Sequence, residues 1–122
     1  MAKTILIVDD SASVRQVVSI ALNQAGYEVI AASDGQEALS KLDGRKLHLV
    51  ISDLNMPRMD GISFIRQMKA KPVYQFTPVI MLTTEIAEAK KQEGKLAGVK
   101  AWAVKPFQPE QLLLAVSKLV LP

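Results

Sequence analysis

The chain has 122 residues, 49% hydrophobic and 22% charged, with a formal net charge of +3 and no cysteine. That length suits one domain, residues 1–122, burying roughly two-thirds of its unfolded surface, and the lack of cysteine excludes disulfides and thiolate metal sites, as expected of a reducing, cytoplasmic setting. Basic residues scattered without an interleaved aromatic stripe argue against nucleic-acid binding, and no apolar run is long enough to cross a bilayer.

Met1-Ala2-Lys3-Thr4 leads straight into the aliphatic run Ile5-Leu6-Ile7-Val8, so no secretory leader is expected. The run reads as a strand and ends at Asp9-Asp10. Val14, Val17, Val18, Ala21, Leu22 and Ala25 then recur at helical spacing until Gly26 stops the pattern. Ser13 with Gln16 matches a capping box, and Ser11 is an equal candidate for the cap. Tyr27 to Ala31 is a less apolar strand carrying Glu28, and is placed at an edge of the sheet. Asp34 with Glu37 caps a short helix burying Ala38, Leu39 and Leu42.

Leu49-Val50-Ile51 is the third strand, followed at its end by Asp53. Asp60-Gly61 opens a helix that faces inward through Ile62, Ile65 and Met68. Val79-Ile80-Met81-Leu82 is a fourth, fully apolar strand. The helix expected over Ile86 to Ala97 is charged, Ala-rich and interrupted by Gly94, at a cost of about 1 kcal/mol, and should be the most loosely held. Trp102-Ala103-Val104 is the fifth strand, leading to Lys105-Pro106. Pro109 opens a last helix burying Leu112, Leu113, Val116, Leu119 and Val120, with Leu114 and Leu121 on its exposed side.

Strands alternating with helices predict a doubly wound α/β domain with a parallel sheet and right-handed crossovers. In such sheets ligands bind outside the carboxyl ends of the strands. Asp9, Asp10, Asp53 and Lys105 all fall at such ends. Carboxylates about 5 Å apart repel by roughly 3 kcal/mol per pair at an effective dielectric near 20, so the cluster calls for a cation. A hard divalent metal together with a group that a lysine can hold fits that requirement.

The run Asp53-Leu54-Asn55-Met56-Pro57-Arg58-Met59-Asp60-Gly61, taken with Asp9-Asp10, Thr83-Thr84-Glu85 and Lys105-Pro106-Phe107, resembles the receiver domains of two-component response regulators. Within that family it is most similar to the stand-alone chemotaxis regulators. The resemblance covers essentially the whole chain and implies a flavodoxin-like five-stranded sheet. Its strand order, 2-1-3-4-5, comes with the resemblance rather than from the pattern of residues.

The resemblance implies that Asp53 accepts a phosphoryl group from a sensor histidine kinase. Asp10, Asp53 and the backbone carbonyl of Asn55 would bind Mg²⁺ directly and Asp9 through water. Lys105, the Thr83 hydroxyl and the backbone amides near Leu54, Asn55 and Thr84 would hold phosphoryl oxygens. Thr83 and Trp102 would act as a switch, biasing a face made of the fourth helix, fifth strand and fifth helix toward a downstream output protein, for which a flagellar motor switch component is the chemotaxis candidate. Trp102 stands where tyrosine or phenylalanine is frequent in the family. The Lys105-Pro106 bond looks like the family's cis peptide. A monomer that meets its partners through protein contacts, away from membranes, is expected.

Other residues have plainer readings. His48, the only histidine, has no second imidazole or thiol with which to share a metal and is taken as structural. Met56 and Met59 are expected to pack, and Arg58 to be a solvated loop residue. With nothing following Pro122, no DNA-binding domain is expected, although a receiver trimmed from a longer regulator would read identically. A small phosphatase working through an aspartyl-phosphate is a competing class. It would usually carry an Asp-x-Asp pair after the first strand, where this chain has adjacent aspartates. Nucleotide-binding glycine loops are absent.

Overall fold

The computed structural model describes residues 2–120, so the expectation for Leu121 lies outside the described residues. Five parallel strands form one sheet in the order β2-β1-β3-β4-β5. In chain order they are β1 (Thr4–Val8), β2 (Glu28–Ala32), β3 (Leu49–Ser52), β4 (Val79–Thr83) and β5 (Ala101–Val104). Between and after them come α1 (Ala12–Gln24), α2 (Gly35–Ser40), α3 (Gly61–Lys69), α4 (Glu88–Ala97) and α5 (Pro109–Leu119). The doubly wound flavodoxin-like fold and its strand order are as expected, with β2 at one edge.

Alternation along the strands splits the core into two layers. Leu6, Val8, Val50, Val79 and Met81 face Ala38, Ile62, Phe64, Ile65 and Met68 on one side of the sheet. Ile5, Ile7, Leu49, Ile51, Ile80 and Leu82 face Val18, Leu22, Leu112 and Val116 on the other. Burying each such side chain contributes about 1.5–3 kcal/mol, so the central strands are the most firmly held part of the molecule.

Several local expectations need correction. Of the two cap candidates for α1, Ser11 is the one used, its hydroxyl accepting from the Val14 N–H, while Ser13 lies inside the helix. Val17 is 48% exposed, and Ala25 is also exposed, so the buried stripe of α1 is narrower than its spacing suggested. The second strand begins at Glu28 rather than Tyr27. Phe64, not foreseen as a core residue, is fully buried on α3, and a 3-10 turn over Pro72–Tyr74 was also missed. Its Tyr74 is buried, with the hydroxyl donating to the Arg45 carbonyl and accepting from the Gly44 N–H. In α5, Leu112 and Val116 are buried, as is Val120 just past its end, whereas Leu113 and Leu119 are only partly so, and Leu114 is 61% exposed as expected.

The fourth helix starts at Glu88, two residues later than Ile86, with Ala87 at its cap position offering no side-chain acceptor. Its only buried residue is Gly94. A Cβ there would lie 2.8 Å from Trp102 Cζ3, so the glycine lets the indole approach the helix backbone. Among the described residues no helix is long and apolar enough to cross a membrane.

Candidate functional site

Strand register assembles the site. Val8 is paired with Ser52, so the next residues, Asp9 and Asp53, leave the sheet side by side. The Asp53 N–H donates to the Val8 carbonyl at 2.8 Å. Thr83 is paired with Val104, and the Lys105 N–H donates to the Thr83 carbonyl at 2.9 Å, which delivers Lys105 to the same end.

Lys105 Nζ lies 2.7 Å from Asp9 Oδ2 and 3.0 Å from Asp53 Oδ2. Asp9 and Asp53 are buried and Asp10 is exposed, yet each offers a carboxylate oxygen within 4.8 Å of those of the other two. Burial raises the Asp9 carboxyl above its ordinary value, outweighing the hydrogen bonds from Lys105 and Ser11, and the nearby Asp53 charge adds to the rise. Burial alone would lower the Lys105 ammonium, but its hydrogen bonds to Asp9 and Asp53 prevail and raise it. Lysine therefore stays charged here, and one lysine answers three carboxylates. The donor set is all oxygen, partly open to solvent and one cation short, which suits a hard divalent ion such as Mg²⁺.

The backbone around Asp53 is tightly held. Asp53 Oδ1 accepts from the Leu54 N–H at 2.7 Å. The Leu54 carbonyl accepts from the Gly61 N–H at 2.8 Å, closing the loop between β3 and α3. A Cβ on Gly61 would stand 2.1 Å from the Asp53 carbonyl oxygen, so only glycine fits. Asn55 is exposed on this loop, while Met56 and Met59 pack against the core as expected. Asp9 is fixed by the Ser11 N–H, which donates to Oδ1 at 2.9 Å, and by Arg15, whose Nη1 donates to its carbonyl at 2.6 Å.

Thr83 is fully buried, and its Oγ1 accepts from the Glu85 N–H at 3.3 Å. The Glu85 carbonyl in turn accepts from Trp102 Nε1 at 2.9 Å. One residue, Glu85, therefore links the two residues expected to act as a switch, through its N–H on one side and its carbonyl on the other. Thr84 is exposed at the mouth of the site, and the Lys105-Pro106 bond is cis.

Two residues differ in what they do. His48 is structural, as expected, its Nδ1 accepting from the Thr4 N–H at 3.0 Å. Arg58 is not a mere solvated loop residue. Its Nε donates to Asp34 Oδ2 at 2.8 Å and its Nη2 contacts the same oxygen. The pairing joins residues 24 apart, and no local motif announced it.

A response regulator receiver domain model matches residues 5–117. The chain is 38% identical over 110 residues to the chemotaxis protein CheY1 of Helicobacter pylori, covering 88% of this chain and 89% of that protein. It is similar to the crystal structure of the chemotaxis protein CheY4 of Vibrio cholerae, with a TM-score of 0.93 and 48% identity over 98% of this chain and 99% of that one. It is also 37% identical to the phosphate regulon transcriptional regulatory protein PhoB of Pseudomonas aeruginosa across 93% of its own length, but spans only 49% of that regulator.

Proposed function

The chain belongs to the family of response regulator receiver domains of two-component systems, and from that premise we propose that Asp53 is its phosphoryl acceptor and that phosphorylation switches a protein-binding face. The observation that carries this reading is the Asp53 carboxylate, held 3.0 Å from the Lys105 ammonium in a crevice shared with Asp9 and Asp10. A carboxylate oxygen of Asp53 attacks the phosphorus of a phosphohistidine. The new O–P bond forms as the P–N bond breaks, and the bonding electron pair leaves with the imidazole. Positioning and charge neutralisation dominate such a transfer.

Asp10, Asp53 and the Asn55 carbonyl would hold Mg²⁺, with Asp9 acting through water. The bound ion would supply positive charge that lets a carboxylate approach an anionic donor. Lys105 then exchanges its Asp53 contact for a phosphoryl oxygen, and the Leu54, Asn55 and Thr84 amides with the Thr83 hydroxyl serve the others. Turning the Thr83 hydroxyl toward the phosphoryl group withdraws the acceptor of the Glu85 N–H. The disturbance at Glu85 shifts its carbonyl, the acceptor of the Trp102 indole. The signal thus passes to α4, β5 and α5, which carry the exposed apolar residues Leu96, Val104 and Leu114.

The output is a protein contact, and chemotaxis is the favoured setting, with a chemotaxis-type histidine kinase upstream and a flagellar motor switch component as the candidate target. Likeness to CheY1 and CheY4 over nearly their whole lengths supports this. A receiver segment of a longer regulator is the second reading, supported by the match to about half of PhoB.

The test is incubation with Mg²⁺ and an acyl phosphate. One stoichiometric, acid-stable and base-labile adduct is expected, lost completely in Asp53→Asn. Multiple turnovers on a small phosphate ester would instead indicate a phosphatase. Capture of a motor switch component in the presence of a stable phosphoryl mimic would assign the pathway, and a different output protein would reassign it.

A further inference from the structure

Arg58 is the only non-glycine among the described residues with a positive φ, 67°. Across it, the Met59 N–H donates to the Pro57 carbonyl at 2.7 Å, closing a three-residue γ-turn of the uncommon positive-φ kind. Such a turn persists where surrounding contacts over-determine it. Here they are identifiable. The Arg58 guanidinium grips one oxygen of Asp34, whose side chain is only 4% exposed. The other Asp34 oxygen accepts from the Glu37 N–H at 2.9 Å and caps α2. Met59 rests against Gly35, where an added Cβ would meet Met59 Cγ at 2.8 Å.

The loop from Asp53 to Asp60 is therefore fastened twice. Its base is closed by the bond from the Gly61 N–H to the Leu54 carbonyl, and its tip is tied to the start of α2. Asn55, Met56 and Pro57 lie between these two fastenings. We propose that the Asp34–Arg58 ion pair is a positioning device that sets the divalent-ion affinity of the carboxylate cluster without touching the ion. This rests on the reading of Asp9, Asp10, Asp53 and the Asn55 carbonyl as the Mg²⁺ site. The pair holds that carbonyl at a fixed place relative to Asp53, and releasing the tip lets it wander.

The test is Mg²⁺ titration, by calorimetry and by Trp102 fluorescence, of the unaltered protein, Arg58→Ala, Asp34→Asn and the double variant. Asparagine keeps an acceptor for the α2 cap but discards the charge. Each single variant should bind Mg²⁺ about tenfold more weakly, the size seen when a group supporting a metal ligand is lost. The double variant should be no weaker than either single one, as for two partners in one contact. At saturating Mg²⁺ the rate of phosphorylation by an acyl phosphate should return to that of the unaltered protein, which general structural damage would not permit.

Arg58→Gly separates the ion pair from the turn, because glycine accepts the positive φ at no cost. It too should bind more weakly. Unchanged affinity in Arg58→Gly, additive losses in the double variant, or a rate that saturating Mg²⁺ fails to restore would each overturn the positioning role. If Arg58→Ala fails to fold, Asp34→Asn and Arg58→Gly decide the matter alone. An unaltered protein that binds no Mg²⁺ would overturn the metal reading itself, and this inference with it.

Discussion

Two neighbouring units, β3–α3 and β4–α4, share one plan but are held very differently. Each is a strand buried throughout, then a loop at the carboxyl edge, then a helix. In the first, Asp60 caps the helix, Gly61, Ile62, Phe64, Ile65 and Met68 are buried, and the loop is tied at base and tip. In the second, the helix has no side-chain cap and buries only Gly94, and its loop hangs on bonds to Thr83 Oγ1, the Glu85 carboxylate and the Trp102 indole. The residue proposed to undergo chemistry sits on the rigid unit, and the proposed response sits on the loose one. A site that must hold an acceptor in line needs fixed geometry, whereas a switch needs an element with two arrangements of similar free energy.

The same substitution made in both units should break or sustain this contrast most sharply. Gly61→Ala drives a methyl into the Asp53 carbonyl, a backbone atom that cannot retreat without moving β3. It should destabilise the protein by about 3 kcal/mol in urea unfolding, at the upper end for overpacking. Gly94→Ala crowds the edge of the Trp102 ring, which can turn, touches Val99 Cγ2 at an ordinary 3.6 Å, and replaces a helical glycine at a gain of about 1 kcal/mol. Its net effect on stability should lie within about 1 kcal/mol of zero, with a clear shift in Trp102 fluorescence. Equal losses in the two variants would show that the units are equally rigid.

Capping offers a second, smaller handle. Asp60 Oδ1 accepts from the Ser63 N–H at 2.8 Å, and removing it as Asp60→Ala should cost about 1 kcal/mol at neutral pH. Burial pushes the Asp60 carboxyl up, but its hydrogen bonds to Ser63 outweigh that and leave it below the ordinary 3.8. A depressed folded-state value means that the ionised carboxylate contributes stability above 3.8 and loses it as the pH falls through the folded value. The difference between Asp60→Ala and the unaltered protein should therefore shrink in acid. Conversely, Ala87 already has the extended backbone of a cap residue, so Ala87→Ser should stabilise α4 by about 1 kcal/mol. If the loose unit is what responds, that gain should also reduce the Trp102 signal on adding a phosphoryl mimic.

What the sequence disclosed, and what it withheld, follows the range of the forces involved. The apolar runs of β1, β3 and β4 and the spacing in α3 and α5 act locally and gave the architecture. Asp9, Asp53 and Lys105 could be placed together because residues ending parallel strands share an edge. The pairing of Arg58 with Asp34 could not be read, since it depends on a γ-turn that arginine seldom adopts and on a carboxylate already assigned to a cap. Gly94 was legible as a cost in the helix but not as room for the Trp102 ring, because that contact joins an element to the next strand. Val17 fits the helical stripe of α1 but is 48% exposed, so periodicity alone overstated how far that helix is covered.

The smallest expected effect tests whether the two units are independent. Trp102→Phe keeps an aromatic ring over Gly94 but removes the N–H that the Glu85 carbonyl accepts. Losing one such bond costs about 1 kcal/mol, and the partly buried carbonyl can turn to water instead. The loss should be confined to the loop it anchors. Amide exchange should quicken at Glu85, Ile86 and Ala87, whose N–H groups depend on Thr83 Oγ1 and on the Glu85 carboxylate. The amides of Leu54 and Gly61, bonded to Asp53 Oδ1 and the Leu54 carbonyl, should exchange as before. Equal acceleration at both sets would mean that the indole bond supports the β3–α3 loop as well, and rigidity would then have to be assigned to the sheet edge as a whole. Acceleration at Glu85 alone would trace the coupling from Thr83 to Trp102 through that single residue, which is the smallest element that both proposed switch residues can bias.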